Sequence, residues 1–304
     1  MTRITQDVES AVAILRQGGI IGLPTETVYG LAALADDEHA VARIFSTKGR
    51  PTNHPLIVHL SPEENIEKWG HLTHDAQLLA EKFWPGPLTL LVRRTQRVSD
   101  WVTGGRDTVA LRVPSHPVTQ QLLRAVSTGV VAPSANRFGK VSPTTAEHVA
   151  ADLGNEVDLI LDGGPCDVGL ESTIVECVDN DVRVLRPGAI TTADIEMVIG
   201  HAVSRGTGDA RAPGMLASHY APLAPVVLCE TVRDAQNLFN KEREAGAKPH
   251  IIWHEDIDEY AECLYSDLRA ADEMKCTVVL AVLPSNEGVG VAIRDRLEKA
   301  AHRG

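Results

Sequence analysis

Five short segments place hydroxyls, amides and cations just after an apolar run or a helical stripe. Pro24-Thr25-Glu26-Thr27-Val28-Tyr29-Gly30-Leu31 follows Ile20-Ile21-Gly22-Leu23 and presents two hydroxyls, a carboxylate and a glycine. Loops held by a rigid strand are where binding groups collect. Lys48-Gly49-Arg50-Pro51 closes a helical pattern. Cations there complement a helix dipole, but a lysine point charge beside an arginine fork also grips phosphate. Ala132-Pro133-Ser134-Ala135-Asn136 comes directly after Val130-Val131, and Ser142-Pro143-Thr144 and Glu171-Ser172-Thr173 have the same character. Small polar residues at the carboxyl ends of strands are where open α/β sheets hold ligands. Taken singly, each segment is more often a turn or a cap.

Other chemistries lack their residues. No GxxxxGK[ST] loop occurs, and Gly288-Val289-Gly290 has Ile293 where a dinucleotide fingerprint needs its third glycine. His54 with His59, or His71 with His74, could be offered as metal ligands, but neither pair has cysteine partners or an HExxH frame. There is no nucleophile elbow and no evident catalytic dyad.

Charge narrows the ligand. The chain carries a formal net charge of −12, which argues against a general nucleic-acid coat protein. Leu91 to Lys140 departs from that balance: Arg93, Arg94, Arg97, Arg106, Arg112, Arg124, Arg137 and Lys140 face only Asp100 and Asp107, a local net +6. A positive field of that kind suits a polyanion such as ATP. The five cysteines are scattered with no CxxC, as expected of reduced thiols. No apolar run approaches the ~18 residues of a membrane span, and the start has no signal core, so a cytoplasmic protein without a membrane partner is expected.

The elements that must position these residues alternate between the two hydrophobic periods. Helical stripes are predicted at Val8–Leu15, Asp37–Thr47, Thr73–Trp84, Pro117–Ser127, Thr145–Leu153 and Thr192–Ile199. Strands are predicted at Ile20–Leu23, Leu56–Leu60, Leu88–Val92, Thr108–Val113, Val130–Ala132, Leu159–Leu161, Thr173–Cys177 and Val182–Leu185. Residues 1–203 therefore read as an α/β domain. Residues 204–224, rich in glycine and without periodicity, read as a linker and lid. In 225–304, three strand–helix pairs predict a smaller, doubly wound α/β domain: Val226–Cys229 with Val232–Glu244, His250–Trp253 with Ala261–Met274, and Val278–Val282 with Val289–Ala301.

In this order PTETVYGL, KGRP with HPLIVHL, WPGPLTL, VALRVPSHP, APSAN, SPTTAEHV, GLESTIV and VLRPG resemble the pattern of the threonylcarbamoyl-AMP synthase family, the YrdC-like enzymes, from Gly19 to Gly188. Ala212-Pro213-Gly214-Met215 leading to His219-Tyr220-Ala221-Pro222 is similar to the linker of the family's long form. CLYSDLRAAD and EGVGVAIRDRLEKAA are similar to its C-terminal accessory domain. The resemblance implies a twisted, open mixed α/β sheet with a positively charged cavity. It also implies a nucleotidyltransferase that joins L-threonine, bicarbonate or CO2, and ATP into threonylcarbamoyl-AMP, releasing pyrophosphate, for the t6A modification of tRNA. Thr27, His59, Arg112, Ala132 and Ser172 would then line a threonine pocket. Lys48, Arg50, His54, Thr108, Ser134, Asn136, Ser142, Arg186 and Tyr220 would surround ATP, with Lys48 and Asn136 as close supports and Tyr220, alongside His219, closing the cavity. Mg2+ would ride on the ATP phosphates without a protein ligand, and the product would pass to a tRNA threonylcarbamoyl-transferase complex. His54 departs from the family's pattern, which commonly has asparagine there. The alternative is a non-catalytic module that binds double-stranded RNA through the basic stretch, and a weak RNA contact is kept as a secondary expectation.

Overall fold

Strands supply the frame of the site, and their pairing decides which side chains meet. The computed structural model describes residues 3–179, 181–205 and 220–302. In the first domain the strands are β1 (Ile4–Thr5), β2 (Ile21–Leu23), β3 (Gly30–Leu34), β4 (Ile57–His59), β5 (Gly70–His71), β6 (Leu88–Arg94), β7 (Thr108–Arg112), β8 (Val130–Val131), β9 (Leu159–Leu161), β10 (Thr173–Val178), β11 (Asp181–Arg186) and β12 (Ser204–Arg205). They form one mixed sheet in the order β1-β9-β2-β3-β8-β4-β7-β6-β10-β11-β12, with β5 paired to β6. The helices are α1 (Val8–Arg16), α2 (Glu38–Lys48), α3 (His74–Phe83), α4 (Asp100–Thr103), α5 (Pro117–Val126), α6 (Ala146–Leu153) and α7 (Thr192–Ile199).

Alternation along the central strands sorts core from site. Val58, Leu88, Leu90, Val92, Val109, Leu111 and Val175 join one large core with α2 residues such as Ile44 and α3 residues such as Leu79. The intervening positions face the other way. Ile57, Leu91, Ala110 and Ile174 make a small apolar patch there. His59 and Arg112 are opposite one another in the β4–β7 register and continue the same side. These strands carry hardly any exposed face, so their apolar runs did not alternate visibly in the sequence.

The expected helices and longer strands occur with ends shifted by a few residues. Several short elements were not expected, among them β1, β3 and β5. Strand β3 follows directly from the PTETVY segment, and its Gly-Leu-Ala-Ala-Leu composition has neither alternation nor β-branched residues. It is a strand because it pairs on both sides, with β2 and β8. Ser204-Arg205, expected to begin the linker, instead adds β12 alongside β11. Residues 206–219 of that linker, His219 among them, lie outside the described residues.

The second domain has parallel strands β13 (Val226–Cys229), β14 (Pro249–Ile252) and β15 (Val278–Val282) in the order β13-β15-β14. Its helices are α8 (Val232–Glu244), α9 (Ile257–Glu273) and α10 (Gly290–Ala301). Val278, Leu280 and Val282 face α8, whereas Val279 and Ala281 face α9 and α10. This arrangement is the doubly wound expectation. The same core takes in Val28, Val141 and Leu170 from the first domain, so α9 and α10 pack against its loops. At Gly169, φ is +71°, and an added Cβ would lie 2.3 Å from the Glu262 carbonyl of α9. Gly169→Ala should therefore loosen the domain contact, which faster amide exchange in α9 would reveal. Unchanged exchange would show the contact to be dispensable.

Candidate functional site

Three loops build one wall by exchanging backbone hydrogen bonds. Tyr29 N donates to Pro143 O, Leu31 N to Pro133 O and Ala135 N to Tyr29 O, each at 2.7–2.9 Å. A Cβ at Gly30 would come within 2.8 Å of Ala132 Cβ, which accounts for glycine there. Thr25 Oγ1 donates to Val28 O (2.6 Å) and accepts from Val28 N, folding the 25–28 segment back on itself. On the far side, Gly49 ends α2 in the left-handed region (φ 63°) and turns the chain so that Arg50 enters the interior.

The result is a cavity beside the β4–β7 strand ends. Its lining includes Thr25, Thr27, Arg50, His59, Arg112, Ala132, Ser134, Glu171, Ser172, Arg186 and Tyr220. Nine of the fourteen expected site residues meet here: Thr27, His59, Arg112, Ala132, Ser172, Arg50, Ser134, Arg186 and Tyr220. All five threonine-pocket candidates are in this group.

Arg112 organises one end. Its Nη1 donates to Thr27 Oγ1 (2.8 Å), Nε donates to Gly86 O (3.3 Å), and Nη2 lies 2.8 Å from Glu26 Oε1. Burial alone would raise the Glu26 pKa, but the Arg112 charge outweighs it and keeps the carboxyl ionised. His59, beside the pair, is driven down to about 3 by burial and by the Arg112 charge, so it is a neutral imidazole at pH 7. Its Nδ1 has no hydrogen-bond partner among the described residues, and neither does Arg50 Nε. Buried polar atoms left open at a cavity call for a polar ligand.

The other end is cationic. Arg50 donates through Nη2 to Pro55 O (3.0 Å), and Arg186 donates through Nε and Nη2 to Ser172 O (3.1 and 2.9 Å) and through Nη2 to Ser172 Oγ (3.1 Å). Burial and the neighbouring Arg186 charge hold Arg50 down at about 10. Two like charges close enough to perturb each other in a buried site are relieved by an anion.

The chain that carries this cavity is similar to known proteins over nearly its whole length. Residues 13–188 match the Sua5, YciO and YrdC family model described as telomere recombination, and residues 190–302 match that of the threonylcarbamoyl-AMP synthase C-terminal domain. Threonylcarbamoyl-AMP synthase of Bacillus subtilis is 39% identical, with 97% of this chain and 92% of that protein covered. The Pyrococcus abyssi enzyme is 38% identical over 96% and 93%. The chain belongs to the threonylcarbamoyl-AMP synthase family. A crystal structure of P. abyssi Sua5 complexed with L-threonine matches this synthase-family fold with a TM-score of 0.93 at 36% identity, covering 99% of this chain and 97% of that one.

Five expected site residues of the family pattern stand off the cavity lining. Lys48 is buried, and its ammonium donates to Ser134 O and Asn136 O, so it braces the 132–136 loop from behind. Burial pushes its pKa well down. Asn136 is buried too, its amide donating to Arg137 O and Lys140 O. Ser142 lies behind Glu171, donating to Oε1 at 2.6 Å. Half-buried His54 meets Phe138 edge-on with centroids 5.6 Å apart. Half-buried Thr108 starts β7, four residues before Arg112, or about 13 Å along the strand.

The expected positive field also has a different source. Arg93 pairs with Asp107 and Asp179, Arg94 with Asp100, Arg97 with Asp36, Arg124 with Glu63 and Arg137 with Glu156. Of the basic residues in the 91–140 stretch, all of them among the described residues, only Arg112 is part of the cavity lining, and Arg50 and Arg186 come from elsewhere. Sequence reasoning quoted Glu26 and Glu171 without giving either a role, and it passed over Tyr265, Arg269 and Arg296 of the second domain. A signal was present for Arg296, which shares a helical stripe with Ile293, Leu297 and Ala300, all buried. An arginine on an apolar stripe points to a buried partner.

The depressed His59 sets a stability window. A histidine neutral in the fold but protonated in the unfolded chain costs stability as pH falls below about 6.5, until the folded value of about 3 is reached. Between pH 6.5 and 5 the wild type should lose about 1–2 kcal/mol, measured by urea unfolding, and His59→Gln should flatten that slope. Equal slopes in the two proteins would refute the assignment.

Proposed function

We propose that the cavity joins L-threonine, bicarbonate or CO2, and ATP into threonylcarbamoyl-AMP and releases pyrophosphate. The observation that carries this reading is one cavity whose lining has the carboxylate-backed Arg112 at one end and the Arg50–Arg186 pair at the other. Arg112 offers a planar fork to the threonine carboxylate. Thr27, Ser172 and neutral His59 supply hydrogen bonds beside it, and Ala132 leaves room for a small side chain. The carbamate oxygen is already anionic when it attacks the α-phosphorus, so no protein nucleophile is required. The chain's task is to align that oxygen and to stabilise the charge spreading over the phosphates. Arg50 and Arg186 serve the phosphates, and Ser134, at the end of the loop braced by Lys48, offers its hydroxyl.

Mg2+ enters as the ion of the nucleotide, neutralising phosphate charge when bound. Glu171 on the cavity lining is engaged by Arg296, and Glu26 behind Arg112 is engaged by that arginine. That engagement suits a Mg2+ held by phosphate oxygens and water. The product would serve t6A formation through a separate tRNA transferase complex, in the cytoplasm. Among the described residues no helix is long and apolar enough to cross a membrane.

The test is pyrophosphate release by the pure protein with ATP, Mg2+ and bicarbonate, with and without L-threonine. Release that depends on threonine and falls with serine or valine is expected. Release indifferent to the amino acid would overturn the reading.

A further inference from the structure

We propose that Tyr265, Arg269 and Arg296 of the second domain are positioning residues of the nucleotide end of the cavity. The inference rests on the reading of the Arg50–Arg186 end as the ATP site.

The centre of the arrangement is Glu171, a buried carboxylate at the cavity surface. Oε1 accepts from Ser142 Oγ at 2.6 Å, and Oε2 accepts from Tyr265 Oη at 2.7 Å and Arg296 Nε at 2.9 Å. Left to itself, such an anion would repel a polyphosphate and would be costly to bury. Burial alone would raise its pKa, but the Arg296 and Arg186 charges and the two hydroxyls hold it down at about 2. Its negative charge is thus fixed and compensated from the second domain. Fully buried Arg296 also donates to Pro187 O (2.9 Å), tying α10 to the end of β11, which carries Arg186.

Arg269 acts on the segment that carries Ser142. Its Nη2 donates to Val141 O (2.5 Å) and its Nε to Ser142 O (3.2 Å), while its fork holds Asp152 at 3.0 and 2.6 Å. Thr144 and Ser266 hydroxyls meet at 3.1 Å. Tyr220 completes the wall: it stacks on Tyr265 with centroids 5.5 Å apart, and the Arg296 guanidinium lies 5.3 Å from its ring centre. Three polar side chains of the second domain therefore set the place of Ser142 and Glu171 in the first domain and of Tyr220 in the linker. Apolar contact would suffice to hold two domains together. Aimed hydrogen bonds to a single buried carboxylate and to the backbone around Ser142 serve placement.

The test uses the full chain with Tyr265→Phe, which removes one hydroxyl, and Arg269→Gln with Arg269→Lys as its conservative partner. Tyr265→Phe should raise KM for ATP roughly 10-fold, the loss of one hydrogen bond to a charged group. kcat at saturating ATP and threonine affinity should stay close to wild type, and the thermal midpoint should fall by only about 2–6 °C. Arg269→Lys should recover part of the ATP affinity lost in Arg269→Gln. Tyr265→Phe combined with Ser142→Ala should lose less than the product of the single losses, because both act through Glu171. Unchanged ATP KM in the single variants, or losses that multiply, would overturn the proposal. Calorimetric binding of a non-hydrolysable ATP analogue keeps the two readings apart. A wild type that binds the analogue and shows the same variant pattern, yet releases no threonine-dependent pyrophosphate, would sink the reaction and leave the positioning role standing.

Discussion

Arg112→Ala should destabilise the protein by about 3–5 kcal/mol and abolish threonine binding, because it strands the Glu26 carboxylate in a buried site. The pair is nearly sealed from solvent, with side-chain exposures of 4% and 7%, so water cannot take the place of the lost guanidinium. Two further bonds go with it, those to Thr27 Oγ1 and Gly86 O, which tie the PTETVY loop to the neighbouring chain turn. The decisive comparison is the double variant Glu26→Gln, Arg112→Met. Removing both charges should recover much of the stability in urea unfolding, while threonine titration stays flat. Equal instability in the single and double variants would mean that the stranded carboxylate is not the cause.

Arg50→Ala should behave in the opposite way. Loss of its contact with the phosphates should lower kcat/KM for ATP roughly 10- to 150-fold, as expected for about 1.5–3 kcal/mol from hydrogen bonds to a charged group. The ligand-free protein should be as stable as wild type or more so, since burial and Arg186 already disfavour the Arg50 charge. An activity loss accompanied by a thermal midpoint that holds or rises is the signature of a residue kept for its ligand. Wild-type pyrophosphate release, or a large loss of stability, would remove Arg50 from that role.

The contrast between these two arginines shows where sequence reasoning succeeded and where it stopped. Arg50 stood out from its local context in KGRP, whereas Arg112 was assigned through the resemblance of VALRVPSHP to the family pattern. Neither context says which arginine has a carboxylate behind it. Glu26 and Arg112 are far apart in the chain and meet because the β2–β3 connection passes over the ends of β4 and β7. Lys48 was expected beside ATP as a close support, and its neighbour Gly49 turns the chain so sharply that Lys48 and Arg50 go different ways. The lysine braces backbone carbonyls and the arginine enters the cavity.

The basic stretch from Leu91 to Lys140 teaches the same lesson through charge. Its local net +6 is real in the sequence, yet acids from distant segments, such as Asp36, Glu63 and Glu156, pair with most of it at the surface. The cavity's charge instead depends on three arginines brought together from α2's end, β7 and β11.

By itself the sequence determined the order of helices and longer strands, the two α/β domains and the short polar segments that carry the chemistry, because hydrophobic period, caps and turn residues act over a few positions. The tertiary structure alone decided which charges cancel and which remain open, and that the second domain reaches Glu171, Ser142 and Tyr220. Burial and like-charge proximity are properties of residues brought together from distant parts of the chain, and no local pattern encodes them.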